Sequence, residues 1–313
     1  MSVGANIRQR RFQLRMTQQE LAEAMGYRTR STIAKIESGE NDVSQRKLQK
    51  FAAVLDTTPE ALIGAAVAQP QAQPLPCQYR EHRTVAVILA GGKTGTNGKN
   101  IPSQFVSVHG KPVLVYCLEV YQAHPAVDDV YVVCLKGWED IVRAYARQYG
   151  ITKLRALIPG GKSGVDSLRK ALKLLEERYD GQDVVVVQES TRPMVTPETV
   201  SELLGVCAQR GSATICHSMR QYVQFDISGG KATYVDRNAM IALQSPEAHR
   251  LRLLRSVFAE AEQVGMPLTH SNCTMLLHDL GHSINFVESA VNNIKLAREE
   301  DLAAFGAYVR TAE

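Results

Sequence analysis

The chain has no apolar run long enough to span a bilayer and no secretory signal segment, which predicts a cytoplasmic protein with no membrane partner. Its six cysteines (Cys77, Cys117, Cys134, Cys207, Cys216 and Cys273) contain no C-x-x-C pair and no repeating spacing. That excludes a disulfide framework and the common zinc modules, and their mostly apolar surroundings predict buried thiols. Excess charge of one sign is also scarce. A formal net charge of +4 over 313 residues excludes polyelectrolyte behaviour. Two phosphate-binding fingerprints are missing as well. Gly98-Lys99 is followed by Asn100 and has Lys93 where a P-loop needs its first glycine, Gly161-Lys162-Ser163 has Ala156 there, and no register yields G-x-G-x-x-G.

What is present divides in two. With 44% hydrophobic and 22% charged residues, the composition is that of a globular protein, and the length predicts two domains. Residues 67–84 are rich in Ala, Gln and Pro without periodicity and read as a semi-extended linker between domains at 1–66 and 85–313. The first domain holds ten Lys/Arg against seven Asp/Glu, a basic excess that permits nucleic-acid binding without requiring it.

Helical periodicity begins at Ala5–Arg15, with Ile7, Phe12 and Leu14 expected inward and the arginines outward. Thr17 followed by Glu20 forms a capping box for a helix with Leu21, Ala22 and Met25 on its apolar face, ended by Gly26. Ile33 and Ile36 mark a third helix, and Ser44–Leu55 and Pro59–Ile63 a fourth and fifth. The ordered set Thr17–Gly26 (TQQELAEAMG), Ser31–Gly39 (STIAKIESG), Leu48–Leu55 and Thr58–Leu62 resembles the phage-repressor (Cro-type) helix-turn-helix family. That resemblance implies double-stranded DNA as partner. It implies Gln18 on a phosphate, and Arg30, Ser31, Thr32 and Lys35 facing base edges or nearby phosphates, with Arg30 as the bidentate contact to guanine. Gly26 to Ile33 is one residue longer than the usual turn. A protein-interaction helical module is the other reading of the same pattern.

From Val85 onward strands alternate with helices, predicting an α/β domain with a mostly parallel, Rossmann-like sheet. Val85–Ala90 is apolar on both faces and stops at Gly91-Gly92, as a buried strand feeding a phosphate-accessible turn does. Further strands are expected at Asp129–Leu135, Asp183–Val187 and Ile284–Glu288, and helices at Lys111–His124, Trp138–Tyr149, Val165–Tyr179, Thr196–Gln209 and after Glu299. Tyr222–Val235 alternates about Gly229-Gly230 and reads as a protruding hairpin.

Ala90-Gly91-Gly92, a polar loop, and Pro102-Ser103-Gln104-Phe105 together resemble the cytidylyltransferases that make CDP-methylerythritol or CDP-ribitol. The resemblance continues through Gly160-Gly161, Asp166-Ser167-Leu168, Gln188 to Pro193, Val235-Asp236-Arg237, Asn293-Ile294-Lys295 and Glu300-Asp301-Leu302. It implies a nucleotidyltransferase fold, CTP and a polyol phosphate as ligands, and a homodimer joined through the hairpin arm. It implies ligand contacts at Ala90, Gly91, Gly92, Gly161, Ser167, Glu189, Arg192, Arg237 and Lys295, with Arg192 and Lys295 catalytic. It also implies Mg²⁺ as cofactor, with Glu189 as its ligand. The family's loop Arg and its Lys after Pro are replaced here by Gly95-Thr96 and Ser103, and its His-Asp pair by Gln188-Glu189. Lys93 and Lys99 are the nearby cations that could enter the gap. His270, Cys273, His278 and His282 match no common zinc spacing; the resemblance places them beside the nucleotide loop.

The sequence therefore predicts a DNA-binding regulator whose cytidylyltransferase-like domain has impaired catalysis and senses a nucleotide, polyol phosphate or CDP-polyol. The alternative is an active cytidylyltransferase that also binds DNA. A third reading makes the second domain a dimerisation scaffold, its cations paired with carboxylates.

Overall fold

The computed structural model describes residues 3–14, 16–27, 29–39, 41, 43–59, 62, 82–93, 101–220, 222–230, 232–289 and 292–312. The chain divides into two compact units, Met1–Gln73 and Pro74–Glu313. The expected linker lies outside the described residues up to residue 81. Among the described residues no helix is long and apolar enough to cross a membrane.

The first unit contains α1 (Val3–Gln13), α2 (Gln18–Met25), α3 (Arg30–Ser38) and α4 (Gln45–Val54). The fifth expected helix, Pro59–Ile63, falls largely outside the described residues, although Leu62 is buried in the shared core. That core joins Ile7, Leu21, Met25, Ile33, Ile36, Leu48, Phe51 and Leu55. The capping box at α2 forms in full: the Thr17 hydroxyl accepts the Glu20 N–H at 3.2 Å, and the Glu20 carboxylate accepts the Thr17 N–H at 2.6 Å. Gly26 closes α2 at φ +75°, a left-handed conformation suited to glycine. The long turn is taken up before α3, whose N-cap is Thr29.

The outer face of α1 differs from expectation. Phe12 and Leu14 are exposed, whereas Arg11 is buried. The Arg11 guanidinium donates to both carboxylate oxygens of buried Glu37 at 2.6 and 3.0 Å and to the Met16 carbonyl at 2.7 Å, and it lies 4.4 Å from the Phe12 ring centroid. Periodicity assigns an arginine to water because it cannot see the carboxylate on another helix that compensates its burial.

The second unit is a three-layer α/β structure. Its seven-stranded sheet has the order β11-β7-β10-β6-β1-β4-β5, with β1 Thr84–Ala90, β4 Asp129–Cys134, β5 Leu154–Pro159, β6 Val184–Glu189, β7 Ser212–Ser218, β10 Ile241–Arg250 and β11 Phe286–Glu288. Only β10 runs against the others. The central strand β1 explains its own continuous hydrophobicity. Ala86, Ile88 and Ala90 enter one core, Val85 and Val87 the other, so neither face meets water. The first core is closed by α5 (Val113–Ala123), α6 (Glu139–Gln148) and α8 (Pro197–Arg210). The second is closed by α7 (Gly164–Leu175), α9 (Leu251–Gln263) and α10 (Cys273–Asp279). The last helix, α11 (Glu299–Ala312), packs Phe305 and Val309 with Val108 and Val113.

Two small antiparallel pairs complete the unit. One joins β2 (Ser107–Val108) and β3 (Lys111–Pro112), ahead of α5. The other joins β8 (Gln224–Asp226) and β9 (Thr233–Val235) as the expected hairpin, with Phe225 opposite Tyr234. All described cysteines are free and buried, and burial pushes the Cys207 thiol up to about 12. Cys77 lies outside the described residues.

Candidate active site and DNA-binding helix

In an open parallel sheet the ligand crevice forms where neighbouring strands send their chains to opposite faces, at the carboxyl ends. Here the turns after β1, β5 and β6 meet around a cleft of about 340 Å³. Gly91 and Gly92 follow β1 on its rim, and Ser103 and Gln104 line it beyond residues 94–100, which lie outside the described residues with Gly95, Thr96 and Lys99. Ala90 is buried in the strand and does not line the cleft. Lys93 is exposed and is not among the cleft-lining residues.

The Pro-Ser-Gln-Phe step is built to hold the glycine turn. The buried Gln104 amide donates to the carbonyls of Ala90 at 3.0 Å and Gly92 at 2.8 Å, while Phe105 stacks on Trp138 with ring centroids 4.2 Å apart. The Ala90 carbonyl, which also accepts the Leu135 N–H at 3.2 Å, is thereby tied to the carbonyl of Gly92 through one side chain. Gly91 also approaches Gly160 so closely that an added Cβ would lie 3.4 Å from the Gly160 Cα.

The turn after β5 is equally constrained. The Gly161 N–H donates to the Ser167 hydroxyl at 2.9 Å, and that hydroxyl donates to the Ser163 carbonyl at 2.7 Å. The Lys162 N–H donates to Asp166 at 2.9 Å. This bond, with Arg169 adding to it, holds the Asp166 carboxyl below the usual value despite partial burial. Gly161 and Ser167 thus both line the cleft, with Ser167 fixing the turn. Lys162 lines it too, and sequence reasoning passed over it. Its one local signal is the Gly161-Lys162-Ser163 run, which has Ala156 where a P-loop needs its first glycine.

At the end of β6, Glu189 sits between two cations. Its Oε1 is 2.6 Å from Lys295 Nζ and its Oε2 is 2.6 Å from Arg192 Nε. Burial alone would raise this carboxyl, but the charges and hydrogen bonds of Lys295 and Arg192 outweigh it and hold the group below the ordinary value. Arg192 also donates to the Asn293 carbonyl at 2.9 Å, and Asn293 accepts the Met194 N–H and donates to the Ser245 carbonyl. The Leu296 N–H donates to the Thr191 carbonyl, so the segment carrying Lys295 is laced to the turn after β6. Gln188 is buried beneath it, accepting from the Tyr121 hydroxyl and donating to the carbonyls of Glu189 and Arg192.

Glu189, the residue expected to hold Mg²⁺, is ion-paired on both sides. Both carboxylate oxygens are taken by cations, and among the described residues no group of three His, Cys, Asp or Glu could hold a metal ion. His270 and His278 both hydrogen-bond Asp279, His282 bonds Glu260 instead, and Cys273 is buried, so the four do not converge on one point. Arg237 follows the hairpin in a short 3₁₀ turn, is exposed, and is absent from the cleft lining of the single chain.

In the first unit, Arg30 and Ser31 open α3 in exposed positions, with Lys35 exposed one turn on and Thr32 half-buried between them. Four polar groups therefore share the solvent side of a helix whose other side carries Ile33 and Ile36 into the core. Gln18 begins α2, but its amide donates to Glu37 at 2.9 Å and is tied to the buried Arg11–Glu37 pair.

Comparison with known proteins accords with both halves. A family model described as 2-C-methyl-D-erythritol 4-phosphate cytidylyltransferase matches residues 84–311, and a helix-turn-helix model matches residues 7–62. The ribitol-5-phosphate cytidylyltransferase of Lacticaseibacillus paracasei is 35% identical over 232 residues, covering 73% of this chain and 98% of that relative. The 2-C-methyl-D-erythritol 4-phosphate cytidylyltransferase of Bacillus velezensis is 28% identical over 219 residues, covering 70% and 91%. In fold, the chain is similar to the crystal structure of 4-diphosphocytidyl-2C-methyl-D-erythritol synthase from Anaerococcus prevotii, with a TM-score of 0.63, 18% identity, and coverage of 74% and 98%.

Proposed function

The chain belongs to the 2-C-methyl-D-erythritol 4-phosphate cytidylyltransferase family, and from that premise we propose that it is a DNA-binding regulator whose cleft takes a cytidine nucleotide or CDP-polyol as a ligand, with turnover far below that of an enzyme. The observation that carries this reading is Ser103. It lines the cleft at the position where the family resemblance calls for lysine. Phosphoryl transfer needs fixed positive charge where negative charge develops, and loss of one such stabiliser costs about 10²–10³ in rate. Glu189 adds to this, because an incoming phosphate must compete with it for Lys295.

Binding itself keeps good support. Gly91, Gly92 and Gly161 bring backbone to the cleft without side chains in the way, and Lys295 lies on its rim. The helix-turn-helix match and the exposed run Arg30, Ser31 and Lys35 support DNA as the partner of the first unit. The hairpin arm exposes Tyr222, Val223, Phe225, Ile227 and Tyr234, an apolar set that favours a homodimer presenting two reading heads to a palindromic site.

A second reading, an active cytidylyltransferase that also binds DNA, is favoured by the well-held Lys295 and Arg192 and by the enzymatic names of the relatives. One experiment separates them. Thermal unfolding of the full chain is followed with CTP and CDP-ribitol, and pyrophosphate release from CTP and ribitol 5-phosphate is assayed in the same samples with Mg²⁺ added. A raised midpoint with negligible pyrophosphate supports the sensor. Steady release supports the enzyme, and no shift with either ligand removes both.

A further inference from the structure

The second core of the sheet holds a cluster of polar groups among its apolar side chains. Among the described residues, four buried side-chain polar atoms lack a hydrogen-bond partner, and three of them are here: Thr214 Oγ1 and both ring nitrogens of His249. Thr214 stands opposite Glu247 across β7 and β10, and His249 follows Glu247 two residues on, so the three share one face of the sheet. Glu247 and His249 are 3% and 1% exposed, with His249 Nε2 lying 3.5 Å from Glu247 Oε2.

Both Glu247 oxygens are turned to the start of α10. Oε1 accepts the Cys273 N–H at 2.8 Å, and Oε2 accepts the Thr274 N–H at 2.8 Å and the Thr274 hydroxyl at 2.6 Å. Three donors favour the ionised carboxylate, and an ionised carboxylate at this depth needs a countercharge. Burial would raise this carboxyl, but His249 and the bonds from Thr274 and Cys273 outweigh it and hold it below the ordinary value. The cross-strand neighbours of the pair are Val187 and Val185 on β6 and Thr214 and Ser212 on β7, none of them charged. The start of α10 brings the Cys273 thiol, which burial and the Glu247 charge push well above its ordinary value. From α7 and α9 the same core receives Leu168, Leu254 and Val257. His249 is the group placed to supply the positive charge.

What the carboxylate holds reaches the cleft. Ser271, two residues before Cys273, lines it, and the His270 carbonyl accepts the Val165 N–H of α7 at 3.2 Å. We propose that Glu247 and His249 are positioning residues of the cleft, a buried ion pair that seats the Ser271 rim while His249 carries its proton and loosens it when the proton leaves. This rests on the nucleotide reading above. A neutral ring leaves the carboxylate buried without compensation. Stability of the seated rim is therefore present at low pH and lost as pH rises through the range in which histidine ordinarily titrates, about pH 5–8.

The test is calorimetric titration of CTP into the full chain at about pH 5.5 and about pH 8, with His249→Gln beside wild type. Ionisation of CTP itself is common to both proteins and cancels in the comparison. Wild type is expected to lose about tenfold more affinity than His249→Gln between the two pH values. A second measurement needs no variant and no ligand: NMR of carbon-labelled histidine rings in wild type. It should show one solvent-protected ring with protons on both nitrogens at about pH 5.5. The buried His124 ring, whose Nδ1 accepts the Ala126 N–H and whose proton affinity burial lowers, is the neutral reference. An equal pH response in wild type and His249→Gln overturns the inference while leaving the nucleotide reading intact. Protected rings that are all neutral at about pH 5.5 also overturn it. A wild type that binds no CTP at either pH overturns the nucleotide reading, and the coupling to the cleft with it.

Discussion

Asp129 opens β4 at the end of the sheet opposite the cleft and is almost wholly buried, yet it is charged and answered from several sides. Burial would raise its carboxyl. The Tyr179 hydroxyl at 2.7 Å and the guanidinium groups of Arg155 and Arg83 outweigh that and hold it below its ordinary value of 3.8. A carboxyl depressed in the folded state stabilises it above the unfolded pKa, and that contribution is lost as pH falls through the folded value. Denaturant unfolding, read by the fluorescence of Trp138, the single tryptophan, should therefore show stability falling from about pH 4 downward. Asp129→Asn should be less stable at neutral pH, with a flatter acid limb. An unchanged acid limb would assign the loss to other carboxylates.

Among elements, the β5–α7 turn is the most tightly specified part of the site. Gly164 starts α7 with no room for a methyl group against the Ser271 carbonyl, which belongs to the segment leading into α10. Gly164→Ala must push the turn away from that segment, a displacement that costs on the order of 1–3 kcal/mol in a packed setting. The expected result is a lowered melting temperature together with loss of the CTP-induced shift, measured in one set of melting curves. A full ligand response in this variant would show that the cleft tolerates movement of its β5 wall. The glycine turn after β1 depends on Gln104 in a comparable way, through two carbonyls that no other described side chain satisfies.

For the whole molecule, the exposed arm sets the prediction. Phe225 and Ile227 are 57% and 75% exposed on a small hairpin that has no hydrophobic core of its own. Under the dimer proposal, Phe225→Asp combined with Ile227→Asp should yield monomers in sedimentation. It should also weaken binding to a palindromic DNA site by about 10²–10⁴, because the second head no longer benefits from tethering. Binding to a half-site should be unaffected. A variant that stays dimeric would place the interface elsewhere.

The helical character of the first segment and the strand–helix alternation of the second were determined by sequence alone, because both are written in local periodicity and punctuation. The Thr17–Glu20 box, the Gly26 stop, the two-faced apolar run of β1 and the Gly229-Gly230 turn act within a few residues of themselves. Strands β5, β7 and β10 and helices α9 and α10 carry weaker local signals and emerge only when the sheet assembles. Tertiary structure alone decided which charges face inward. Arg11 finds Glu37 on another helix, Glu189 is clamped by Lys295 from 106 residues away, and Lys162 is left without a carboxylate partner among the described residues. A charged side chain's fate depends on its partners in space, and the energy of a buried or cleft-lining charge is set by them rather than by sequence neighbours.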